Sequence, residues 1–274
     1  MNRDRAAWAV CYAFLAYLFL SEVPQLSSLP FFSIQAAFIL LVIVYFLCSF
    51  ISWGVTAATK YLVITWLTSY TIEYVGVTTG YPFGNYFYTS AMGQFLGPVP
   101  IFIPFLWCAL GYFCLRACGP SIVAPALLMV LLDLSLDPLF SQSLWTWQSS
   151  IGPQYFGVPV LNFFGWFITS IAVFTLVKVV IKWNAGNSRK SIIFSGGSAE
   201  AVGFYFLFGV STVLYQLYSG IPEAAGVTGI LYVVAAVLLW GMRARGENRS
   251  SWTEGQMSRS ELRTIPTARS LEHP

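Results

Sequence analysis

Long apolar runs, each close to the thickness of a bilayer, set the strongest limit on what this chain can fold into. They lie at about residues 6–20, 33–53, 55–74, 100–117, 120–136, 159–182, 199–218 and 222–242. A transmembrane helix needs about 20 predominantly apolar residues, and none of the runs shows the period-2 alternation of a membrane β-strand. The pattern therefore predicts an all-α, polytopic transmembrane helix bundle of about eight spans.

Composition agrees with a membrane domain and excludes other classes of protein. Only 9% of the residues are Asp, Glu, Lys or Arg, whereas a soluble domain carries about 25%. Hydrophobic residues make up 57%, which excludes a disordered chain, a basic nucleic-acid-binding domain and an ordinary cytosolic enzyme. We expect one transmembrane catalytic domain over residues 1–242, followed by a polar, disordered cytoplasmic tail at 243–274.

The basic residues predict the orientation of the spans. With eight spans, every Lys and Arg falls on one side of the membrane. Those that flank the spans are Arg3, Arg5, Lys60, Arg116, Lys178, Lys182, Arg189, Lys190, Arg243, Arg245 and Arg249. Because cytoplasmic loops carry the excess of Lys and Arg, both termini are predicted to be cytoplasmic. The first run resembles a signal peptide, but no small-x-small cleavage site follows it, so we expect it to be retained.

Three acidic residues lie in the apolar spans near the opposite, non-cytoplasmic side. Glu73 is near the outer end of the third span, and Asp133 and Asp137 are near the outer end of the fifth. A carboxylate at membrane depth is costly and therefore indicates function, although Glu73 and Asp137 could instead only cap helices or bind interfacial water. Asp133 and Asp137 are four residues apart and share one helix face. Two acids on one dry face predict that one stays protonated near neutral pH, as acid/base catalysis requires.

Two long outer loops are rich in aromatic residues, glycine and proline, and contain no Lys or Arg. They cover residues 71–88 and 137–166. An aromatic belt at the membrane interface is one interpretation. The continuous aromatic runs between turn residues favour a second one, a folded lid over an apolar cavity. Aromatic faces in such a lid could stabilise a carbocation.

The sequence contains no motif for metal or redox chemistry. The single histidine, His273, is one residue from the end, and no two of the five cysteines form a CxxC pair. We therefore expect no metal and no cofactor, and interpret the cysteines as small buried apolar residues. A membrane carrier or proton-coupled transporter for a lipophilic molecule, with the acids as relays, is the alternative function that these features leave open.

The two outer loops carry motifs that resemble those of a known family. The first is Glu73-x-x-Gly76-x-x-x-Gly80-x-Pro82-Phe83-Gly84-x-Tyr86-x-Tyr88. The second combines Asp133-x-x-x-Asp137-Pro138 and Trp145-x-Trp147 with Tyr155-Phe156-Gly157-Val158-Pro159-x-x-Asn162-Phe163-x-Gly165-Trp166. Together they resemble the signatures of the integral-membrane carotenoid biosynthesis family, which includes the CruF-type carotenoid 1,2-hydratases.

The resemblance implies a reaction, a substrate class and a location. The reaction is that of a cofactor-independent hydro-lyase, which adds water to the terminal C1–C2 double bond of an acyclic (ψ) carotenoid end and gives a tertiary 1-hydroxy carotenoid. The implied partners are a lycopene-type or γ-carotene-type substrate, water, the lipid bilayer and other carotenoid-pathway enzymes, with no nucleic acid. The implied location is a prokaryotic plasma membrane or a thylakoid, with a multi-pass chain.

This chemistry assigns candidate roles to residues of the two loops. Asp133 or Asp137 is expected to protonate C2, and Glu73 to orient the attacking water or hold the proton of the donor. Asn162 is expected to position water. The residues expected to line the cation end are Tyr86, Trp145, Trp147, Tyr155 and Trp166. The residues expected to bind substrate are Tyr81, Phe83, Tyr86, Tyr88, Trp145, Trp147, Tyr155, Phe156, Asn162 and Trp166.

Overall fold

The computed structural model describes residues 3–21, 33–118, 121–141, 143–148, 152–184 and 199–241. Helices make up most of this part of the chain. They are α1 (Arg3–Ser21), α2 (Ile34–Thr79), α3 (Phe102–Cys118), α4 (Val123–Phe140), α5 (Val160–Asn184), α6 (Ala199–Tyr218) and α7 (Pro222–Gly241). The predicted tail at 243–274 and the basic residues at 189–190 lie outside the described residues.

Helix α2 is a helical hairpin, although its 46 residues form one nearly continuous element. Gly54 has φ 75° and ψ 164°, a non-helical conformation that glycine adopts without the steric cost of a Cβ atom. The ring centroids of Tyr45 and Tyr61 are 6.1 Å apart, whereas a straight helix would separate these positions by about 24 Å. The two arms, residues 34–53 and 55–79, therefore fold back on each other, and the second and third apolar runs are separate segments.

The helices form an apolar bundle of the kind that a bilayer accommodates. Counting α2 once, five described helices are long and apolar enough to cross a membrane, namely α2, α4, α5, α6 and α7. Helices α1 and α3 are apolar and shorter. Helix α2 packs against α1, α3 and α5, while α6 packs against α1, α3 and α4. The prediction of an all-α membrane helix bundle is confirmed at this level.

Short antiparallel strand pairs fold the outer loops. Strand β1 (Tyr86–Tyr88) pairs with β4 (Trp145–Trp147), β2 (Phe95–Leu96) with β3 (Val99–Pro100), and β5 (Gln154–Tyr155) with β6 (Val158–Pro159). Strands β1 and β4 come from different loops, and two backbone hydrogen bonds extend their pairing, from Thr89 N to Leu144 O and from Gln148 N to Asn85 O. The two outer loops are thus joined into one layer over the bundle, as the lid interpretation expects.

Phe83 fixes the first loop between two helices. Its side chain is 2% exposed. A Cβ atom added to Gly76 in α2 would lie 2.6 Å from the Phe83 ring, and one added to Gly165 in α5 would lie 2.5 Å from it. Because neither glycine has a Cβ atom, there is room between the two helices for the Phe83 ring.

Gly165→Ala is expected to destabilise the folded protein by about 1–3 kcal/mol, which is typical of overpacking in a tight site. The added methyl group would meet both the Phe83 ring and the backbone oxygen of Pro82. Thermal unfolding of the detergent-solubilised protein measures the change. Gly226→Ala in α7 is the matched control, because a Cβ atom there meets nothing within 4 Å. Equal midpoints for the two variants would contradict the packing role of Gly165.

Candidate active site

A cavity of about 80 Å³ lies beneath the joined loops, between α2, α3, α4 and α5. This volume suffices for a few water molecules. The predicted residues that line it are Glu73, Phe83, Tyr86, Tyr88, Asp133, Asp137, Trp145, Trp147, Asn162 and Trp166. All three candidate acids therefore face one hollow, although they come from two helices and from distant parts of the sequence.

Asp133 and Asp137 lie on one face of α4 and are joined by an amide from α5. The side-chain nitrogen of Asn162 donates to Asp133 Oδ2 at 2.7 Å and to Asp137 Oδ2 at 2.8 Å. The two carboxyl groups are 3% and 2% exposed. The sequence analysis expects Asn162 to position water. In the structure, its Nδ2 atom donates to both carboxyl groups. Asn162 therefore fixes the spacing of the aspartate pair.

Asp137 has two further donors in the second loop. Both indole Nε1–H groups of β4, from Trp145 and Trp147, donate to Asp137 Oδ1. Together with Asn162, they supply Asp137 with three N–H donors. Hydrogen bonds to a carboxyl group favour its ionised form, and Asp137 accepts more of them than Asp133 does.

Glu73, in the second arm of α2, is held by donors from the first loop and from α3. Tyr86 Oη donates to Glu73 Oε2 at 2.6 Å and Tyr88 Oη donates to the same oxygen at 2.9 Å. Trp107 Nε1 donates to Glu73 Oε1 at 3.0 Å. Burial and the nearby Glu73 carboxyl group raise the pKa of Tyr86 and Tyr88 well above the usual value. Both hydroxyls therefore keep their protons and remain donors.

One two-stranded ribbon holds both groups of acids. In the pairing of β1 with β4, Tyr86 lies opposite Trp147 and Tyr88 opposite Trp145. Side chains alternate along a strand, so these four rings share the face that points at the acids. The Tyr86 and Trp147 ring centroids are 5.0 Å apart. The ribbon thus supplies two donors to Glu73 and two to Asp137.

Three predicted substrate-binding residues lie away from this cavity. Tyr81 is 71% exposed, and Phe156 is 41% exposed at the turn between β5 and β6. Tyr155 packs against Phe163, with ring centroids 5.6 Å apart, instead of lining the cation end as the sequence assigns it. The β5–β6 hairpin that carries Tyr155 and Phe156 contributes no residue to the cavity wall. The structure therefore places these three outside the wall of the acid cavity, and their contact with substrate stays a prediction.

Six residues of the cavity wall are not predicted from the sequence: Phe38, Ile103, Leu106, Trp107, Leu136 and Phe140. Most are ordinary apolar residues of the spans, and no sequence feature marks them as part of a site. Trp107 carries a weak one, since a buried indole N–H in an apolar helix needs an acceptor. Its ring also stacks on Trp166, with centroids 4.2 Å apart. In the part of the chain that the structure describes, no group of three or more His, Cys, Asp or Glu side chains is arranged to hold a metal ion.

Comparisons with known proteins relate the chain to a family of carotenoid biosynthesis proteins. A family model described as "Carotenoid biosynthesis protein" matches residues 32–235. The bisanhydrobacterioruberin hydratase of Haloarcula japonica is 35% identical over 126 aligned residues, and the match covers 41% of this chain and 42% of that protein. The match thus spans less than half of the relative's length, and no solved structure matches the chain. Because the family model covers most of the sequence, including every acid of the cavity, this protein belongs to the carotenoid biosynthesis protein family.

Proposed function

We propose that this protein is a carotenoid hydratase, which adds water to the terminal C1–C2 double bond of an acyclic (ψ) end and forms a tertiary 1-hydroxy carotenoid. The family and the name of the Haloarcula japonica relative support a carotenoid hydratase. The observation that carries the proposal is the cavity itself, where Glu73, Asp133 and Asp137 face a space for water inside aromatic and aliphatic walls. Lycopene-type and γ-carotene-type polyenes are the substrate class.

The proposed reaction begins with a proton from Asp133. This carboxyl group accepts from Asn162, whereas Asp137 accepts from three N–H groups. Donors favour the ionised form of the group that they contact, so the shared proton of the pair belongs on Asp133. The C1–C2 π electrons take that proton at C2, which leaves the Asp133 carboxylate and a tertiary cation at C1.

Capture of water completes the addition. A water oxygen bonds to C1, and the water then loses one proton to the aspartate pair, which restores the acid on Asp133. The atoms balance, because one hydrogen ends on C2 and one hydroxyl on C1. The anionic Asp137 and the faces of Trp147 and Trp166 stabilise the cation by charge and by cation–π attraction. Glu73, held by three donors, orients the water.

The proposal includes a multi-pass arrangement in the membrane. The two arms of α2 and the other six helices give eight apolar segments, and eight crossings keep every Lys and Arg on one side. If the side of the membrane that carries the Lys and Arg residues is the cytoplasm, both termini are cytoplasmic and the joined loops face outward. The acid cavity then lies near the outer leaflet of a prokaryotic plasma membrane or a thylakoid, where a polyene dissolved in the bilayer and water can both reach it.

Expression in a lycopene-producing bacterium tests the reaction. The pigment is expected to become more polar and heavier by one water molecule per reacted end, whereas a carrier would leave its mass unchanged. In heavy water, deuterium is expected at C2 of the product, because the donor exchanges its proton with solvent. The same membranes without the protein are the control. A hydroxylated product that contains no deuterium at C2 would exclude direct protonation.

A further inference from the structure

A larger apolar chamber lies next to the acid cavity. This side chamber has a volume of about 490 Å³, and its walls include Phe38, Ile39, Met92, Phe102, Phe105 and Leu144. Phe38 lines both the side chamber and the acid cavity. On α3, Phe102 and Phe105 face the chamber, while Ile103 and Leu106 face the acid cavity. The two spaces therefore occupy neighbouring faces of one helix and have one aromatic ring in common.

The side chamber borders the surface that would face lipid. Ile39 and Ile101 line it and are 52% and 39% exposed in the isolated chain. Large apolar side chains exposed on a membrane bundle face acyl chains, so this side of the chamber offers a hydrocarbon molecule an apolar path from the bilayer. Gln35 and Gln94 are the polar residues of the wall. The volume also falls within the about 300–1,000 Å³ that is usual for ligand pockets.

A second chamber next to Phe38 has a different chemistry. It has a volume of about 330 Å³, and the hydroxyl-bearing residues of its wall are Ser21, Ser33, Ser211, Thr212, Tyr215 and Tyr218. We name it the hydroxyl-lined chamber. The hydroxyls of Ser21, Ser211 and Thr212 donate to carbonyls of their own helices. The wall of this chamber is nevertheless more polar than the wall of the side chamber. The side chamber, with few polar groups in its wall, is the better match to a polyene.

We propose that the side chamber holds the polyene chain of the substrate, and that Phe38 is the gate past which the terminal double bond reaches the acids. This inference rests on the proposed function. The Phe38 ring lies against Phe102 and Phe140, with centroids 6.0 Å and 5.4 Å away. Rotation of this ring would join the two spaces into one hollow, with the acids at its inner end and lipid at its mouth. The far part of a long polyene stays in the bilayer.

Filling either chamber tests the route. Ala91→Trp and Gln94→Trp place a large ring in the side chamber, and both positions lie outside the α-helices. Ala37→Trp is the matched control, because Ala37 lines the hydroxyl-lined chamber. Purified proteins are assayed with lycopene and with a short acyclic terpene that has the same dimethyl alkene end. The side-chamber variants are expected to hydrate lycopene at least about tenfold more slowly, as for a blocked substrate pocket, and the short terpene at the wild-type rate.

The result that would overturn the inference is a side-chamber variant that hydrates lycopene and the short terpene as the wild type does. Loss of lycopene hydration in Ala37→Trp alone would also overturn it. Photocrosslinking gives an answer that does not depend on turnover. With a benzophenone side chain at position Gln94, ultraviolet light is expected to attach the coloured polyene to the protein, and at position Ala37 it is not.

The two proposals fail in different ways. If the wild type binds lycopene at position Gln94 but never hydrates it, the hydratase proposal is wrong and the binding chamber stands. If the wild type hydrates lycopene and the crosslink forms only at position Ala37, the reaction stands and the route through the side chamber is wrong.

Discussion

Asp133→Asn and Asp137→Asn are each expected to lower hydration by about 10²–10⁴-fold, the usual contribution of a general acid or base. Asn at position 133 has no acidic proton to deliver to C2. Asn at position 137 removes the negative charge that stabilises the cation, and it also places an amide beside two indole N–H donors. Initial rates with lycopene, normalised to the amount of folded protein in the membrane, measure both effects.

Glu223→Gln is the matched control for the aspartate variants. Glu223 lies at the start of α7 and is exposed, so this change alters one carboxyl group without touching the cavity. Its rate is expected to equal that of the wild type. Wild-type rates in purified, folded Asp133→Asn and Asp137→Asn would refute the role of the pair.

Glu73→Leu is expected to lower the stability of the folded protein as well as its activity. The substitution would leave the hydroxyls of Tyr86 and Tyr88 and the indole N–H of Trp107 without their acceptor. Each buried donor left unsatisfied costs roughly 1–3 kcal/mol. We therefore expect a large decrease in the thermal unfolding midpoint, together with loss of hydration.

Glu73→Gln separates the two consequences. The amide oxygen still accepts hydrogen bonds, so most of the stability is expected to remain, while the negative charge that orients water is lost. A Glu73→Leu protein as stable as Glu73→Gln would show that the donors find other partners. It would also contradict the view that this carboxyl group fixes the first loop.

The helical bundle and the common helix face of one pair of acids can be predicted from the sequence, because both depend on local rules. The thickness of a bilayer sets the length of each apolar run, and glycine at position 54 agrees with a reversal between the second and third runs. The spacing of four residues places Asp133 and Asp137 on one helix face. No spacing rule brings Glu73 beside them, because that proximity depends on how the second arm of α2 packs in the bundle.

The identity of the donors to each acid does not follow from the sequence. Tyr86 and Trp147 are far apart along the chain, and three-residue strands leave no periodic pattern by which to recognise their pairing. Phe38 belongs to a long apolar run, and nothing in the sequence distinguishes it there from the other apolar residues. Tyr155 and Phe156 belong to the same aromatic loop as Trp145, yet the β5–β6 hairpin that carries them contributes no residue to the cavity wall. Composition identifies an aromatic lid, whereas the side of each strand decides which rings reach the acids.

The ribbon of β1 and β4 makes the acid site sensitive to the length of the loops. Phe87 and Thr146 alternate with the four donor rings and point to the opposite side. Inserting or deleting one residue in either strand would shift the pairing by one position and turn the donors outward. A slip of β1 would remove the two tyrosine donors from Glu73, and a slip of β4 would remove the two indole donors from Asp137. One mismatched residue in a loop would therefore disable an acid that lies on a helix outside that loop.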